Sequence, residues 1–130
     1  MFLFKRRGVA LITLIIWTVI IVAIIIYAPR LYNSYVEQNE IRIIKSNVES
    51  VEDEIKSELL DKHPVYIWND IDNVIKNLNI QNPITKEAQT KNGWNRPGDV
   101  VVYFDGINTF TLDAIGPDGN MLQLNIIIKK

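Results

Sequence analysis

Apolar residues fill the first part of the chain without interruption and then recur at helical spacing. From Val9 to Ala28 no side chain is charged, and thirteen of these residues are Leu, Ile or Val. As a helix with a rise of 1.5 Å per residue, this run is about 30 Å long, which matches the hydrocarbon thickness of a bilayer. The pattern therefore predicts one membrane-spanning helix over residues 9–29, with Pro29 at its end.

A basic cluster, Lys5-Arg6-Arg7, precedes this run. Basic residues also precede the apolar core of a cleaved secretory signal, but that core is shorter and ends in a small-x-small cleavage site. Here Ile26-Tyr27-Ala28 leads directly into Pro29, which disfavours a secretory signal. By the positive-inside rule, the basic cluster stays in the cytoplasm and the residues after Pro29 lie outside the membrane.

After Pro29, apolar residues three and four positions apart form one helical stripe. The stripe consists of Ile41, Ile44, Val48, Val51, Ile55 and Leu59. On the charged face, Glu52 with Lys56 and Glu58 with Lys62 are spaced as i, i+4 ion pairs. We expect one helix from about Val9 to Lys62, with a bend at Pro29 and an amphipathic half over residues 30–63. His63-Pro64 ends it, and His63 suits the negative end of the helix dipole.

The rest of the chain predicts a short helical region followed by strands. Residues 64–98 contain a second helix over about Ile67 to Leu78, a turn at Asn82-Pro83 and a polar loop up to Gly98. Residues 99–130 form a β-meander, with strands over Val100–Phe104, Phe110–Ile115 and Leu122–Ile128. Apolar and polar residues alternate in the last two strands, so each has one buried face. The predicted fold class is α+β, with the long N-terminal helix packed on a three-stranded antiparallel sheet.

Composition restricts the size, partners and chemistry of this molecule. Of the 130 residues, about a hundred follow the membrane segment, which is the size of one small domain. There is no cysteine, so no disulfide stabilises an exported domain. Without the basic cluster, eleven basic and fifteen acidic residues remain, a net charge of −4. This balance argues against a nucleic-acid partner, because such a surface needs clustered Lys and Arg.

Candidate chemical groups are few. One His, no Cys and no recognisable nucleophile or phosphate motif argue against an enzyme, and no cofactor is expected. Asp113, Asp118 and Asn120 offer oxygen ligands for calcium, but their spacing is not that of a calcium loop, so we favour turn chemistry and expect no metal. Trp94 is either an exposed contact residue or a plug between helix and sheet, and the plug is favoured.

Several motifs resemble those of type IV pilins and pseudopilins. Lys5-Arg6-Arg7-Gly8 followed by Val9-Ala10-Leu11-Ile12-Thr13-Leu14 resembles the class III leader and helix start of that family. Ala28-Pro29-Arg30-Leu31 is similar to the proline break that ends the apolar half of the pilin helix. Three further segments resemble those of pilins from Gram-positive bacteria: the Asn82-Pro83 turn, the Pro97-Gly98-Asp99 entry into the strands and the Asp118-Gly119 turn.

This resemblance implies a processing and assembly pathway. Residues 1–8 are a leader that a prepilin peptidase removes between Gly8 and Val9, with methylation of the new amino terminus. Residues 9–29, including the assembly positions Thr13 and Pro29, then move from the membrane into the core of a filament, while residues 30–130 form the extracytoplasmic head. The implied partners are membrane lipid, the peptidase and other pilin subunits.

The chain departs from the family at two positions of the mature helix. The family typically has Phe first and Glu fifth, whereas this chain has Val9 and Thr13. Thr13 is expected to bond the backbone of its own helix, and the missing carboxylate favours a minor or tip-like pilin over a major shaft subunit. An unprocessed single-pass anchor that displays a small binding module is the alternative. The sequence also leaves open whether a pilus, a competence pseudopilus or a secretion pseudopilus is built.

Overall fold

The structure is a computed structural model that describes residues 2–93 and 96–130. The elements are α1 (Phe2–Leu59), α2 (Pro64–Asn69), α3 (Ile71–Asn77), β1 (Val100–Phe104), β2 (Thr109–Ala114) and β3 (Ile126–Lys129). Two compact units divide the chain between Val36 and Glu37. The second unit confirms the predicted α+β class, because the long N-terminal helix packs against a three-stranded antiparallel sheet.

The sheet is a meander in the order β1-β2-β3. Val102 pairs with Leu112 between β1 and β2, and Phe110 pairs with Ile128 between β2 and β3. Because side chains alternate across a strand, this register puts one apolar set on the inner face of the sheet. The set consists of Val100, Val102, Phe110, Leu112, Ala114 and Ile128, all of them buried. The core of the second unit therefore lies between this face and the helices.

The amphipathic stripe of α1 covers that inner face, as its spacing predicts. Ile44, Val48, Val51 and Ile55 are fully buried, and Leu59 is nearly so. Burying each such side chain stabilises the fold by about 1.5–3 kcal/mol relative to leaving it in water. On the opposite face both predicted ion pairs are present, with Lys56 Nζ 2.8 Å from Glu52 Oε1 and Lys62 Nζ 2.6 Å from Glu58 Oε2.

The bounds of α1 differ from the predicted ones at both ends. The helix begins at Phe2 rather than near Val9, and it continues through Pro29 as one helix, as predicted. It ends at Leu59 instead of Lys62, because the chain tightens there: the Leu60 N–H donates to the Ser57 carbonyl, a spacing of three residues rather than four. The predicted cap is also corrected. His63 is the N-cap of α2, where its Nδ1 accepts from the Val65 N–H at 3.4 Å, and it does not close the end of α1.

The single helix predicted over Ile67 to Leu78 is wrong, since two short helices occupy this region. Asp70 has φ −111° and ψ 15°, which is outside the helical range, and it is both the C-cap of α2 and the N-cap of α3. Its Oδ1 accepts from the Asn73 amide at 2.7 Å. A short acidic side chain that bonds nearby groups favours such a break, and the break lets Ile67 and Ile71 both face the core.

The first strand is confirmed, but the other two have different limits. β2 is shifted by one residue, to Thr109–Ala114, and β3 starts at Ile126 rather than Leu122. Gln123 and Asn125 both have positive φ, 58° and 47°, so the backbone before β3 cannot extend as a strand. Leu122 and Leu124 still pack against the core. The alternating apolar residues of this segment therefore face the core as predicted, although the segment is bent and is not a strand.

The turn between β1 and β2 matches its turn-rich sequence. One oxygen of Asp105 accepts from the backbone N–H groups of Ile107, Asn108 and Thr109 at 2.8–3.1 Å. These bonds, that from Ile107 first, lower the pKa of the Asp105 carboxyl because they favour its charged form. Gly106 has φ +87°, a conformation that glycine adopts without strain.

Candidate functional site

The candidate site is the apolar surface of α1 in the first compact unit. Every large apolar side chain from Val9 to Tyr27 is exposed, by 42–67% of its surface. Monomeric soluble proteins rarely expose an apolar surface that is continuous on all sides of a helix. Within the residues that the structure describes, one helix is long and apolar enough to cross a membrane by length and composition. This surface therefore needs a covering of lipid or protein.

The predicted processing position lies within the helix. Gly8 is α-helical and exposed, and a Cβ built on it would meet no other atom within 4 Å. Val9 follows with an exposed side chain. Among the described atoms, a Cβ at position 8 would therefore meet no steric obstacle.

Thr13 satisfies its own hydroxyl group, as the sequence predicts. Its Oγ1 donates to the Val9 carbonyl at 2.8 Å, one helical turn earlier. Thr18 repeats this geometry with the Leu14 carbonyl, also at 2.8 Å. An unpaired hydroxyl is costly in an apolar environment, and these internal bonds remove that cost. Both residues can therefore lie in hydrocarbon without a partner from another chain.

Pro29 is an interior residue of α1. Proline has no N–H, so the Ile25 carbonyl lacks the donor that position 29 would otherwise provide. In a bilayer core such a carbonyl needs another donor, whereas near the headgroups water supplies one. Pro29 is at the end of the apolar run, where this loss is tolerated best.

The segment between α3 and β1, for which the sequence predicts a turn and a polar loop, forms a network of polar contacts. Two amide side chains close the outer edge of β1. Gln89 donates to the Val100 carbonyl at 2.6 Å and accepts from the Val100 N–H at 2.9 Å. Asn92 makes the same pair of bonds with Val102, both at 2.8 Å. Since these residues pair as a neighbouring strand would, we call them the amide clasp; it protects an edge that otherwise templates aggregation.

A second buried group fixes the chain just before β1. Asn82 Oδ1 accepts from the N–H groups of Ile84 and Thr85, and its Nδ2 donates to the Pro97 carbonyl and to Asp99 Oδ1, all at 2.8–3.1 Å. Asp99 is fully buried. Its other oxygen lies 3.2 Å from Arg96 Nε, and Arg96 also pairs with Glu87. A buried carboxylate with these donors is electrostatically compensated.

The remaining candidate residues take structural positions or lie outside the described residues. Asp113 is buried and accepts from the N–H groups of Ala114 and Leu124. Asp118 is exposed and accepts from the Asn120 N–H, which lowers the pKa of its carboxyl. No group of three His, Cys, Asp or Glu residues arranged for a metal ion is found in the described ranges, 2–93 and 96–130. Trp94, the predicted plug, lies outside those ranges.

Removing the polar atoms of Gln89 is expected to destabilise the edge of β1. In Gln89→Met the side chain keeps its approximate length, but the N–H and carbonyl of Val100 lose their partners in a buried position. We expect the free energy of unfolding to fall by about 2–4 kcal/mol, because each unsatisfied buried group costs about 1–3 kcal/mol. Chemical denaturation in detergent, followed by circular dichroism, measures this loss.

Gln38→Met is the matched control for this experiment, because Gln38 is exposed on α1. It should leave the free energy of unfolding nearly unchanged. Faster hydrogen exchange at the Val100 amide should accompany the loss in Gln89→Met. Equal stability of the two variants would contradict the role assigned to the clasp.

Polar residues in a loop signal such a clasp only weakly, because Gln and Asn are as common in exposed loops as in buried pairings. Comparison with family models, with curated proteins and with solved structures finds no match for this chain.

Proposed function

We propose that this chain is a structural subunit of a type IV pilus or pseudopilus, inserted in the membrane and assembled through the apolar half of α1. The observation that carries the proposal is the exposed apolar surface from Val9 to Tyr27, which follows a basic cluster and leads into an α+β unit. A helix with this surface is stable in lipid and also among identical helices. Both environments are required of a pilin.

Transfer of the helix from lipid to a filament is energetically reasonable. Lipid tails are as apolar as leucine side chains, so leaving the bilayer costs little when the new environment packs well. The hydroxyls of Thr13 and Thr18 bond within α1, so they do not hold the helix in either environment. We infer that packing between neighbouring helices drives assembly, with the basic amino end on the cytoplasmic side before processing.

A minor or tip-like position suits the first residues of the mature helix. A carboxylate at position 13 would need a partner in an apolar environment, such as the terminal amine of another subunit. Thr13 has no such need, because the Val9 carbonyl accepts its hydroxyl proton. A subunit that does not have to pair with a preceding one is best placed where the filament begins.

Removal of the leader between Gly8 and Val9 is the step that tests this proposal. In cells with an active prepilin peptidase, N-terminal mass spectrometry should find a mature chain that begins at Val9. Gly8→Val should abolish this cleavage, and the uncleaved chain should be absent from sheared surface filaments. A Cβ added at Gly8 meets no atom within 4 Å, so we attribute the expected loss to recognition by the peptidase.

Ala23→Val is the control, because it adds the same type of side chain to α1 far from the cleaved bond. It should be processed like the original chain. If the original chain keeps Met1 in the presence of an active peptidase, the proposal fails. An unprocessed single-pass anchor with a small binding module then becomes the better interpretation.

A further inference from the structure

Three tyrosines, Tyr27, Tyr32 and Tyr35, lie on one side of α1 at the end of the apolar run and just beyond it. Tyr27, Leu31 and Tyr35 are spaced as i, i+4 and i+8, so they lie within about 80° of one another around the helix axis. Tyr32 extends this face by about 60°. The four side chains are 59–72% exposed. No hydrogen bond joins a hydroxyl of these tyrosines to any residue in the described part of the chain, so all three hydroxyls are available to an outside partner.

The position of this face along α1 indicates what covers it. Tyr27 is the penultimate residue of a run that begins at Val9 and is about 30 Å long. With Val9 at one surface of the hydrocarbon core, Tyr27 lies at the opposite surface. Tyr32 and Tyr35 lie about 7.5 Å and 12 Å farther along the axis. Side chains of an α-helix tilt toward its N-terminus, which brings both rings back toward the membrane.

Tyrosine has the two properties that this boundary favours. Its ring is apolar and its hydroxyl forms hydrogen bonds, so it is enriched where acyl chains meet headgroups. The basic cluster Lys5-Arg6-Arg7 precedes the apolar run of α1, and the tyrosines lie at its other end. Such a helix is held at both surfaces of the membrane. A face without hydroxyl groups would be enough for packing against another protein helix. The free hydroxyls of the tyrosines, and their distance from Val9 along the helix, therefore favour lipid as the partner of this face.

We propose that Tyr27, Leu31, Tyr32 and Tyr35 form a tyrosine anchor that binds the headgroup boundary of the leaflet distal to the basic cluster and fixes the depth of α1. The inference rests on the membrane insertion that the proposed function requires. If the anchor is present, lipid headgroups must leave this face when the subunit moves from the membrane into a filament. The anchor would thus set the starting height of the subunit for assembly.

Spin labelling of the full-length chain in vesicles tests the anchor. The chain has no cysteine, so Asn33→Cys introduces a unique site for a nitroxide, on the side of α1 opposite the anchor. The vesicles contain equimolar phosphatidylcholine and phosphatidylglycerol, with either shorter or longer acyl chains. Depth is measured from the relaxation caused by oxygen and by a water-soluble nickel complex.

In both kinds of vesicle, the label on the anchored chain should stay at the same distance from the phosphate plane of the leaflet distal to the basic cluster. In a variant with all three tyrosines replaced by leucine, the label should shift by about 5 Å between them, a change similar to the difference in thickness among cell membranes. Replacement by tryptophan should restore the constant distance. The control Tyr66→Leu with Tyr103→Leu changes exposed tyrosines of the second unit and should leave the depth unaltered.

Constant depth in the leucine variant would overturn the anchor, because leucine keeps the face apolar but removes its affinity for the interface. Spin–spin broadening that persists on dilution with lipid would also overturn it, since this face would then pack on a second copy. A label at Ala23→Cys separates the two proposals. If that label is buried in lipid while the anchor test fails, only the anchor is wrong; if it is in water, the membrane role fails as well.

Discussion

Replacing Asn82 by alanine is expected to lower the free energy of unfolding by about 2–4 kcal/mol, because a buried group loses several hydrogen bonds at once. The N–H groups of Ile84 and Thr85 lose their acceptor, and the buried Asp99 loses a donor. Among the described residues, the backbone N–H and the guanidinium of Arg96 then remain as donors to the Asp99 carboxylate. Denaturation of the full chain in detergent, followed by circular dichroism, gives the magnitude.

Asn77→Ala is the control for this measurement, because Asn77 is exposed at the end of α3. Its stability should be close to that of the original chain. A second test uses Gly98, which has φ +92° and whose added Cβ would overlap the Asn82 side chain. Gly98→Ala should therefore cost less in the Asn82→Ala background than alone. Simple additivity of the two changes would show that the Asn82 side chain is not fixed in place.

Replacing Phe110 by alanine is expected to have the largest effect in the sheet. Phe110 is fully buried near the start of β2, and its ring stacks on Phe104 with centroids 4.7 Å apart. The change removes a large apolar side chain and leaves a cavity between α1 and the sheet. We expect the free energy of unfolding to fall by about 3–5 kcal/mol. Thermal and chemical denaturation in detergent should agree on this loss.

Tyr103→Ala provides the matched comparison, because Tyr103 is an aromatic residue of the same hairpin whose side chain is half exposed. It should cost much less than Phe110→Ala. The fluorescence of Trp68, whose ring lies 5.7 Å from that of Phe104, should change in Phe110→Ala. Similar losses in the two variants would mean that the inner face of the sheet is not the core.

Regular spacing explains why much of the second unit was predictable. The stripe from Ile44 to Leu59 follows from the helical period, and β1 follows from a run of β-branched and aromatic residues; a single segment displays either signal by itself. Predictions weakened where a backbone irregularity interrupts such a period. Asp70 divides the second helical region, and the positive φ of Gln123 and Asn125 shortens β3, although the apolar pattern continues through each.

The sequence by itself determined the membrane-length apolar helix, the amphipathic stripe and the three-stranded meander, because each is a local repetition of apolar residues. Only the tertiary structure decided the polar contacts that hold the edge of β1. Gln89 and Val100 are 11 positions apart, Asn92 and Val102 are 10, and Asn82 and Asp99 are 17. Hydrogen bonds over such separations depend on the path of the backbone, and hydrophobic periodicity carries no information about that path.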